Sequence, residues 1–229
     1  MIYTIADLHL SLGCDKPMDI FGGWQDYVSR LESSWKRLVT DSDTVVIIGD
    51  ISWAMKLEDS RADFAFINGL PGNKIIIKGN HDFWWGTKTK TEAFFKQNGF
   101  NTIKVLFNNS YTVDGISISG SRGWFYDVAD GADKKVLNRE AGRLQASVEA
   151  AENKPPVVFL HYPPVYGDYI CTEIMDVLKR NGIKQCYYGH LHGFSAHAKA
   201  VQGMNDGIRF KMVSADSTGF IPVPVNVEL

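Results

Sequence analysis

Apolar runs alternate with stretches of helical periodicity along the N-terminal half of the chain. Short, continuous apolar runs predict buried strands over residues 1–6, 44–48 and 75–78. Between these runs, apolar side chains recur every three or four residues; Leu31 and Trp35 lie on one such stripe. This spacing predicts amphipathic helices over 24–40, about 57–68 and about 88–98. Such an alternation is typical of a sheet whose strands are connected by helices.

The C-terminal half has shorter runs and more turn signals. Three runs predict strands, and the residue pairs Asn108-Asn109 and Asp114-Gly115 between them predict hairpin turns. The tail, 194–229, is predicted to form further strands with a turn around Asn205-Asp206-Gly207. The other predicted elements are strands at 103–107, 110–113, 116–119, 157–160 and 183–188 and helices from 134 to about 153 and over about 170–181.

Length and composition limit the class of protein. The 229 residues, 45% of them hydrophobic, suffice for a single domain, 1–229, with a sizeable core. A net charge of -2 gives no general attraction to nucleic acid or to a membrane surface, and no apolar run reaches the length of a membrane span. The first residues lack the features of a signal peptide, and three widely spaced cysteines argue against a disulfide framework. We expect a cytoplasmic protein.

Polar residues with metal-binding chemistry follow several of the predicted strands. Five of the six histidines lie in these positions, and only His197 does not. Taken alone, any one of these motifs is also consistent with a polar turn. Their recurrence at strand ends instead predicts a shared site, because α/β sheets build their sites at that edge. The motifs are Asp7-Leu8-His9, Gly49-Asp50, Gly79-Asn80-His81-Asp82, His161 and Gly189-His190-Leu191-His192.

The side chains in these motifs predict a pair of metal ions. Seven oxygen and nitrogen ligands exceed the needs of one metal, so two metals that share a carboxylate are expected, with Asp50 as the bridge. Mixed imidazole and carboxylate ligation favours Mn, Fe, Zn, Co or Ni over Ca or Mg. Metal pairs of this kind hydrolyse phosphate esters. The candidate ligands are Asp7, His9, Asp50, Asn80, His161, His190 and His192.

The order of these motifs resembles the calcineurin-like metallophosphoesterase superfamily. The resemblance covers residues 7 to 192 and implies a four-layer α/β/β/α sandwich of two mixed sheets flanked by helices. It implies a first metal site of Asp7, His9, Asp50 and His192 and a second of Asp50, Asn80, His161 and His190. It also implies that His81 contacts the substrate phosphate and acts as the acid for the leaving group, and that Asp82 orients His81.

The sequence departs from one branch of that superfamily. Protein Ser/Thr phosphatases continue the second motif as Gly-Asp-x-x-Asp-Arg-Gly, whereas here Gly49-Asp50 is followed by Ile51-Ser52-Trp53-Ala54-Met55. The missing Asp and Arg argue against a phosphoprotein substrate. Arg122, in a glycine-rich loop, is a candidate replacement for the phosphate-binding arginine, although it is also consistent with a solvated turn residue.

Aromatic residues follow four of the candidate site segments. Trp84 and Trp124 are the expected substrate contacts, by stacking on a base, sugar or lipid chain; packing between sheet and helices is the alternative. The aromatic residues concerned are Trp53, the run Phe83-Trp84-Trp85, the run Trp124-Phe125-Tyr126, and Tyr162.

These observations predict a dinuclear metal-dependent phosphoesterase. A metal-bridging hydroxide would attack the phosphorus of a phosphomonoester or phosphodiester, with a small molecule or nucleotide as the substrate. A nucleotide or lipid pyrophosphatase and a nuclease are the alternatives within the same superfamily. The low net charge argues against a nucleic-acid partner. A binding scaffold without catalysis, as in a retromer subunit of this fold, is a further alternative that the complete ligand set argues against. The sequence indicates no oligomeric state.

Overall fold

The computed structural model of the protein describes residues 1–124 and 131–226. The strands of the first large sheet are β1 (Ile2–Ile5), β2 (Thr44–Ile48), β3 (Asn73–Ile77), β4 (Ile103–Val105) and β13 (Val223–Pro224). Their order across the sheet is β13-β1-β2-β3-β4. Strands β1 to β4 are parallel to one another, and β13 pairs with β1 in the antiparallel direction.

The strands of the second large sheet are β5 (Tyr111–Val113), β6 (Ile116–Ser121), β7 (Val157–Leu160), β10 (Gln185–Tyr188), β11 (Gly203–Asn205) and β12 (Ile208–Met212). Their order is β11-β12-β10-β7-β6-β5. The four inner strands are parallel, and the edge strands β5 and β11 are antiparallel to their neighbours. A separate small hairpin consists of β8 (Val165–Tyr166) and β9 (Tyr169–Ile170).

Helices cover the outer face of each sheet. They are α1 (Tyr27–Leu38), α2 (Arg61–Gly69, preceded by a 3-10 turn at Glu58–Ser60), α3 (Lys88–Gln97), α4 (Gly131–Glu149), α5 (Thr172–Arg180) and the short α6 (Phe194–His197). Trp35 of α1 and Phe64 of α2 pack with the first sheet, whereas Leu144 of α4 and Leu178 of α5 pack with the second.

The inner faces of the two sheets pack directly on each other. Val45 and Ile47 of β2 face the helices, whereas Val46 and Ile48 face the second sheet, because successive side chains of a strand point to opposite sides. Phe159 of β7 contributes to the same inner core from the second sheet. The expected four-layer α/β/β/α sandwich is therefore confirmed.

Three turn predictions have different outcomes. Asp114-Gly115 joins β5 to β6 in a hairpin, and the turn around Asp206 joins β11 to β12, as predicted. The prediction that Asn108-Asn109 forms a hairpin turn is wrong. The preceding strand β4 pairs with β3 in the first sheet and the following strand β5 pairs with β6 in the second, so this segment carries the chain between sheets.

Some predicted boundaries also change. Helix α1 begins at Tyr27, not at residue 24, since Asp26 has a φ of 52° and interrupts the helical backbone. The prediction of an all-strand tail is wrong in part. Residues 194–197 form α6, where Ala196 favours a helix, and residues 215–219 form turns.

Two expectations from composition can be compared with the structure. Within the described ranges, no helix combines the length and apolar character needed to cross a bilayer. All three cysteines, Cys14, Cys171 and Cys186, are free thiols.

Candidate metal centre

The strand-end motifs of both sheets meet at one edge of the sandwich. Asp7 and His9 follow β1, Asp50 follows β2 and Asn80 follows β3, whereas His161 follows β7 and His190 and His192 follow β10. Four of these seven residues have a positive φ: Asp7 (61°), His9 (45°), Asp50 (48°) and His190 (71°). Non-glycine residues rarely adopt this conformation, and such strain concentrates at functional sites.

The first cluster consists of Asp7, His9 and His192. Their candidate ligand atoms all lie within 4.8 Å of one another. The Nε2 atoms of His9 and His192 are 3.1 Å apart, and Nε2 of His192 is 3.9 Å from Oδ1 of Asp7. Two imidazoles that face each other with their Nε2 atoms beside a carboxylate form a suitable arrangement for one metal ion.

The second cluster consists of Asp50, His161 and His190, also within 4.8 Å of one another. Nε2 of His161 is 3.6 Å from Oδ1 of Asp50 and 2.7 Å from Oδ1 of Asn80. The other ring nitrogen, Nδ1, lies 3.0 Å from the carbonyl oxygen of Ile48, which can accept its proton and leave Nε2 with a lone pair. The Asn80 amide oxygen thus joins this cluster.

Asp50 lies between the two clusters. Its Oδ1 faces His161 of the second cluster, and its Oδ2 is 3.8 Å from Nε2 of His9 in the first. The side chain is only 1% exposed. One carboxylate therefore has an oxygen towards each cluster, which is the arrangement that the bridging prediction requires.

Two buried carboxylate oxygens lack the hydrogen-bond donors that buried oxygens normally have in a folded protein. Oδ1 of Asp7 and Oδ2 of Asp50 accept no hydrogen bond from any described residue. An orphaned buried carboxylate oxygen is costly unless a cation or hydrogen-bond donor compensates it. Both oxygens point to the same pair of clusters, so the donor set fits metal ions.

Burial determines the protonation of most of these side chains. It raises the pKa of Asp7 to about 8, with a further contribution from the charge of Asp50, and raises the pKa of Asp50 to about 6. It also lowers the pKa of His161 to about 3 and that of His190 to about 2. These two imidazoles are therefore neutral at pH 7, the form that binds a metal.

Asp216 is a site residue that the sequence did not indicate. It accepts a hydrogen bond from the backbone N–H of Gly193 at 3.0 Å, and its other oxygen lies 3.2 Å from Nδ1 of His192. Burial disfavours a charge on His192, but Asp216 and the nearby Asp7 outweigh it and raise the pKa of His192 to about 9. Asp216 follows β12 without a motif, so no local signal could have identified it.

His81 lies beside the clusters and belongs to neither. Its backbone N–H donates to Oδ1 of Asp50 at 2.7 Å. The ring is flanked by Trp53, with centroids 4.6 Å apart, and by Phe83 at 6.0 Å. This imidazole is partly exposed, whereas His161 is fully buried. His81 can therefore contact a substrate while the clustered histidines bind metals.

Asp82 was expected to orient His81, but its carboxylate makes no hydrogen bond to the His81 ring among the described residues. Its carboxylate instead accepts hydrogen bonds from the backbone N–H groups of Gly79, Ile51 and Ser52 at 2.7–3.3 Å and from Nε1 of Trp84 at 2.9 Å. Within the described segments, no hydrogen bond joins Asp82 to the imidazole. Four N–H donors already bond the oxygens of this buried carboxylate, which satisfies it without the imidazole. Asp82 holds together the loops that carry Asp50 and His81.

A model of the calcineurin-like phosphoesterase family matches residues 1–194, which include all of the clustered ligands. The chain belongs to this family. Among curated proteins, none matches the sequence.

Solved structures support the fold of this calcineurin-like phosphoesterase. A protein of unknown function from Aquifex aeolicus has a TM-score of 0.54 and 16% identity, over 97% of this chain and 94% of that one. The phosphopantetheinyl hydrolase of Mycobacterium tuberculosis has a TM-score of 0.53 and 15% identity, over 93% and 88%. A protein from Thermus thermophilus has a TM-score of 0.51 and 10% identity, over 83% and 81%. At these identities the similarity is one of fold.

Arg122 of the phosphoesterase lies at the end of β6, next to the second cluster. Its carbonyl oxygen accepts a hydrogen bond from the N–H of Tyr162 at 2.9 Å, immediately after the ligand candidate His161. The guanidinium stacks over the Trp124 ring at 4.9 Å and pairs with Glu140 at 3.4 Å. Arg122 and Trp124 are thus half-buried near the site. Phe125 and Tyr126 lie outside the described residues.

Trp84 is placed in the core and not at the site. The side chain is 3% exposed, packs against Phe64 and Trp85, and donates its Nε1 proton to Asp82. The prediction that Trp84 stacks on substrate does not agree with this burial. Instead, Trp53 stacks on His9 at 4.8 Å, and Phe83 is 52% exposed beside His81.

Glycine is required where the loops after β2 and β3 approach each other. A Cβ atom on Gly79 would lie 2.1 Å from Oδ1 of Asp50, and one on Gly49 would lie 2.6 Å from the Gly79 backbone. Any larger residue would displace Asp50 from its position between the clusters. The glycines of both motifs therefore serve the geometry of the site.

Proposed function

We propose that the protein is a dinuclear metal-dependent phosphoesterase that hydrolyses phosphomonoesters or phosphodiesters of small molecules, including nucleotides. The observation that carries this proposal is the pair of adjacent clusters with Asp50 between them, one carboxylate oxygen towards each. The orphaned oxygens of Asp7 and Asp50 support metal binding over a purely structural hydrogen-bond network.

The two clusters support two ligand sets. Asp7, His9, Asp50 and His192 would hold one metal, and Asp50, Asn80, His161 and His190 would hold the other. Mixed nitrogen and oxygen donors without a thiolate suit Mn, Fe or Zn. When bound, such a pair would supply Lewis-acid chemistry, which polarises phosphoryl oxygens and activates water as a nucleophile.

His81 is the proposed proton donor to the leaving oxygen. It lies beside both clusters without belonging to either, and its backbone N–H is tied to Asp50. This bond fixes the backbone of His81 relative to the Asp50 carboxylate. Asp82 contributes indirectly, because its hydrogen bonds to Gly79 and Ile51 hold the two loops in register. A positioned imidazole accelerates proton transfer to a poor leaving group.

Arg122 and Trp124 are the proposed substrate-binding residues. Their stacked side chains follow the end of β6, which pairs with β7, the strand that precedes His161. Trp84 is not a proposed substrate contact, because its side chain is buried in the core. The segment Ile51-Ser52-Trp53-Ala54-Met55 lacks the charged residues of protein phosphatases, which favours a small substrate over a phosphoprotein. A cytoplasmic location stays a prediction.

A screen of phosphoesters tests the proposed function. The protein is stripped with a chelator, loaded with Mn, Fe or Zn, and assayed with aryl phosphates, aryl phosphodiesters, nucleotides, dinucleoside pyrophosphates, single-stranded DNA and phosphopeptides. We expect metal-dependent turnover, with the small esters hydrolysed at a higher kcat/KM than phosphopeptides. Tight metal binding without turnover of any ester would favour the scaffold alternative. Equal turnover by the chelated protein would refute metal dependence.

A further inference from the structure

A cavity of about 240 Å³ lies beside the candidate metal centre and is rich in positive charge. Among the described residues, four cationic side chains contribute to its lining, Lys78, Arg122, Arg139 and Arg143, against one carboxylate, Glu140. The described lining therefore has a net charge of three positive units. Concentrating like charges in a partly enclosed cavity is unfavourable unless an anion binds there.

Two lining residues of the cavity, Lys78 and Arg122, lie close to residues of the second cluster along the chain or through a backbone hydrogen bond. Lys78 precedes Gly79-Asn80, and Arg122 is hydrogen-bonded through its backbone to Tyr162, the residue after His161. Asn80 and His161 belong to that cluster. An occupant of the cavity therefore lies next to the metal centre and can be part of the same substrate.

Two of the four cations of the cavity, Arg122 and Arg143, are held in place by the surrounding residues. Glu140 is 1% exposed, and its Oε1 pairs with both Arg122 and Arg143. Arg122 also stacks over Trp124 at 4.9 Å, and Arg143 over Phe107 at 5.0 Å. Such stacking fixes guanidinium groups and leaves their remaining donors available. Nε of Arg122 is buried and has no acceptor among the described residues.

We propose that this cavity is a subsite for a second anionic group of the substrate, separate from the phosphate that is hydrolysed. The inference rests on the proposed function and narrows its substrate class to phosphoesters with a second phosphate or equivalent oxyanion. The scissile group would lie at the candidate metal centre, and the arginines of the cavity bind the other group through charge-assisted hydrogen bonds. A phosphoester with a single anionic group leaves the subsite empty.

Binding to the metal-free protein tests the subsite independently of catalysis. Isothermal titration with inorganic pyrophosphate, at low salt and with chelator present, compares the wild type with the double variant Arg139→Gln/Arg143→Gln. We expect one pyrophosphate per wild-type chain and an affinity about 10- to 100-fold lower in the double variant, because two charge-assisted contacts are lost. The matched control is Arg37→Gln on the exposed surface of α1, which should bind as the wild type does. Unchanged affinity in a folded double variant, or no binding by the wild type, would overturn the proposal.

Turnover by the metal-loaded protein distinguishes a substrate subsite from a site for free phosphate. Adenosine 3′,5′-bisphosphate and adenosine 5′-monophosphate are compared in the wild type and the double variant. We expect kcat/KM for the bisphosphate to fall by about 10- to 100-fold in the double variant, while that for the monophosphate changes little. An equal fall in kcat/KM for both nucleotides would assign the arginines to the scissile phosphate. An unchanged kcat/KM for both nucleotides would mean that the cavity binds only free anions. Either result would overturn the proposal. If the metal-loaded wild type hydrolyses neither these nucleotides nor any other ester of the screen, the proposed function fails and the binding experiment alone decides the subsite.

Discussion

At the scale of single residues, Asp50 has the greatest effect on the site because it faces both clusters. Replacing Asp50 with Asn keeps the shape of the side chain but removes its charge and one oxygen. We expect Asp50→Asn to lose most of the metal at one or both sites and nearly all turnover. Elemental analysis after dialysis measures the metal content, and Asp41→Asn, an exposed acid, is the control. Two full equivalents of metal in the Asp50 variant would contradict a bridge.

His81 should behave differently from the clustered histidines. Since it is proposed as an acid and not a ligand, His81→Ala should retain both metals. Its kcat should fall by about 10²- to 10⁴-fold for an alkyl phosphate, whose leaving group needs a proton, and by much less for a nitrophenyl ester. Steady-state kinetics with each ester measure kcat, and elemental analysis measures the bound metal. The acid role is wrong if both esters slow equally, and loss of metal would identify His81 as a ligand.

The buried carboxyl groups should couple metal binding to pH. Burial raises the pKa of Asp50 to about 6 and that of Asp7 to about 8 in the metal-free protein. Below those values the carboxyls hold protons that compete with a metal, so affinity should rise as the pH increases from 6 to 8. Calorimetry in two buffers of different ionisation enthalpy should show proton release on metal binding. A pH-independent affinity without proton release would contradict these pKa shifts.

At the scale of elements, the loops between strands position the ligands. The loop after β12 contributes Asp216, which joins His192 and Gly193 and lies 3.3 Å from Nε2 of His197. Asp216→Asn should weaken metal binding by about 10- to 100-fold, as loss of a hydrogen-bond partner behind a metal ligand usually does. Competition with a chromogenic chelator measures this affinity. Asp206→Asn, in the distant β11–β12 hairpin, is the control; equal effects would show that Asp216 has no specific role.

The sequence predicted well those elements whose pattern is set by local burial. Strand β2 matches its predicted range of 44–48 because both of its faces are covered, so the run is almost entirely apolar. Prediction from the local sequence pattern fails at Asn108-Asn109, because a turn signal does not show which sheet each neighbouring strand joins. It also fails for Trp84, because an aromatic residue beside a motif can point to the core as readily as to the site. Asp216 has no motif, and only the tertiary fold brings it to His192.

At the scale of the whole molecule, each cluster takes ligands from both sheets. Asp7 and His9 come from the first sheet and His192 from the second, and the second cluster joins Asp50 to His161 and His190. Metal binding should therefore stabilise the docking of the two sheets. At a free metal concentration of about 100 times Kd, each site should add about 2.7 kcal/mol to the free energy of unfolding.

Thermal unfolding measures this coupling. The wild type should melt at a higher temperature with Mn, Fe or Zn than with chelator, and Asp50→Asn should show a smaller difference. A melting temperature that does not depend on metal would contradict a site assembled across the sheets.

The distribution of ligands between the two sheets also determines when the site can form during synthesis. Ribosomes build the chain from its N-terminus, so Asp7, His9, Asp50 and Asn80 leave the exit tunnel long before His190 and His192. The first-sheet half of the nascent chain therefore presents an incomplete acidic ligand set, without the histidines of β10 that would complete either cluster. We therefore expect complete metal binding only after residues 161–192 have emerged, because both clusters need histidines from that part of the chain.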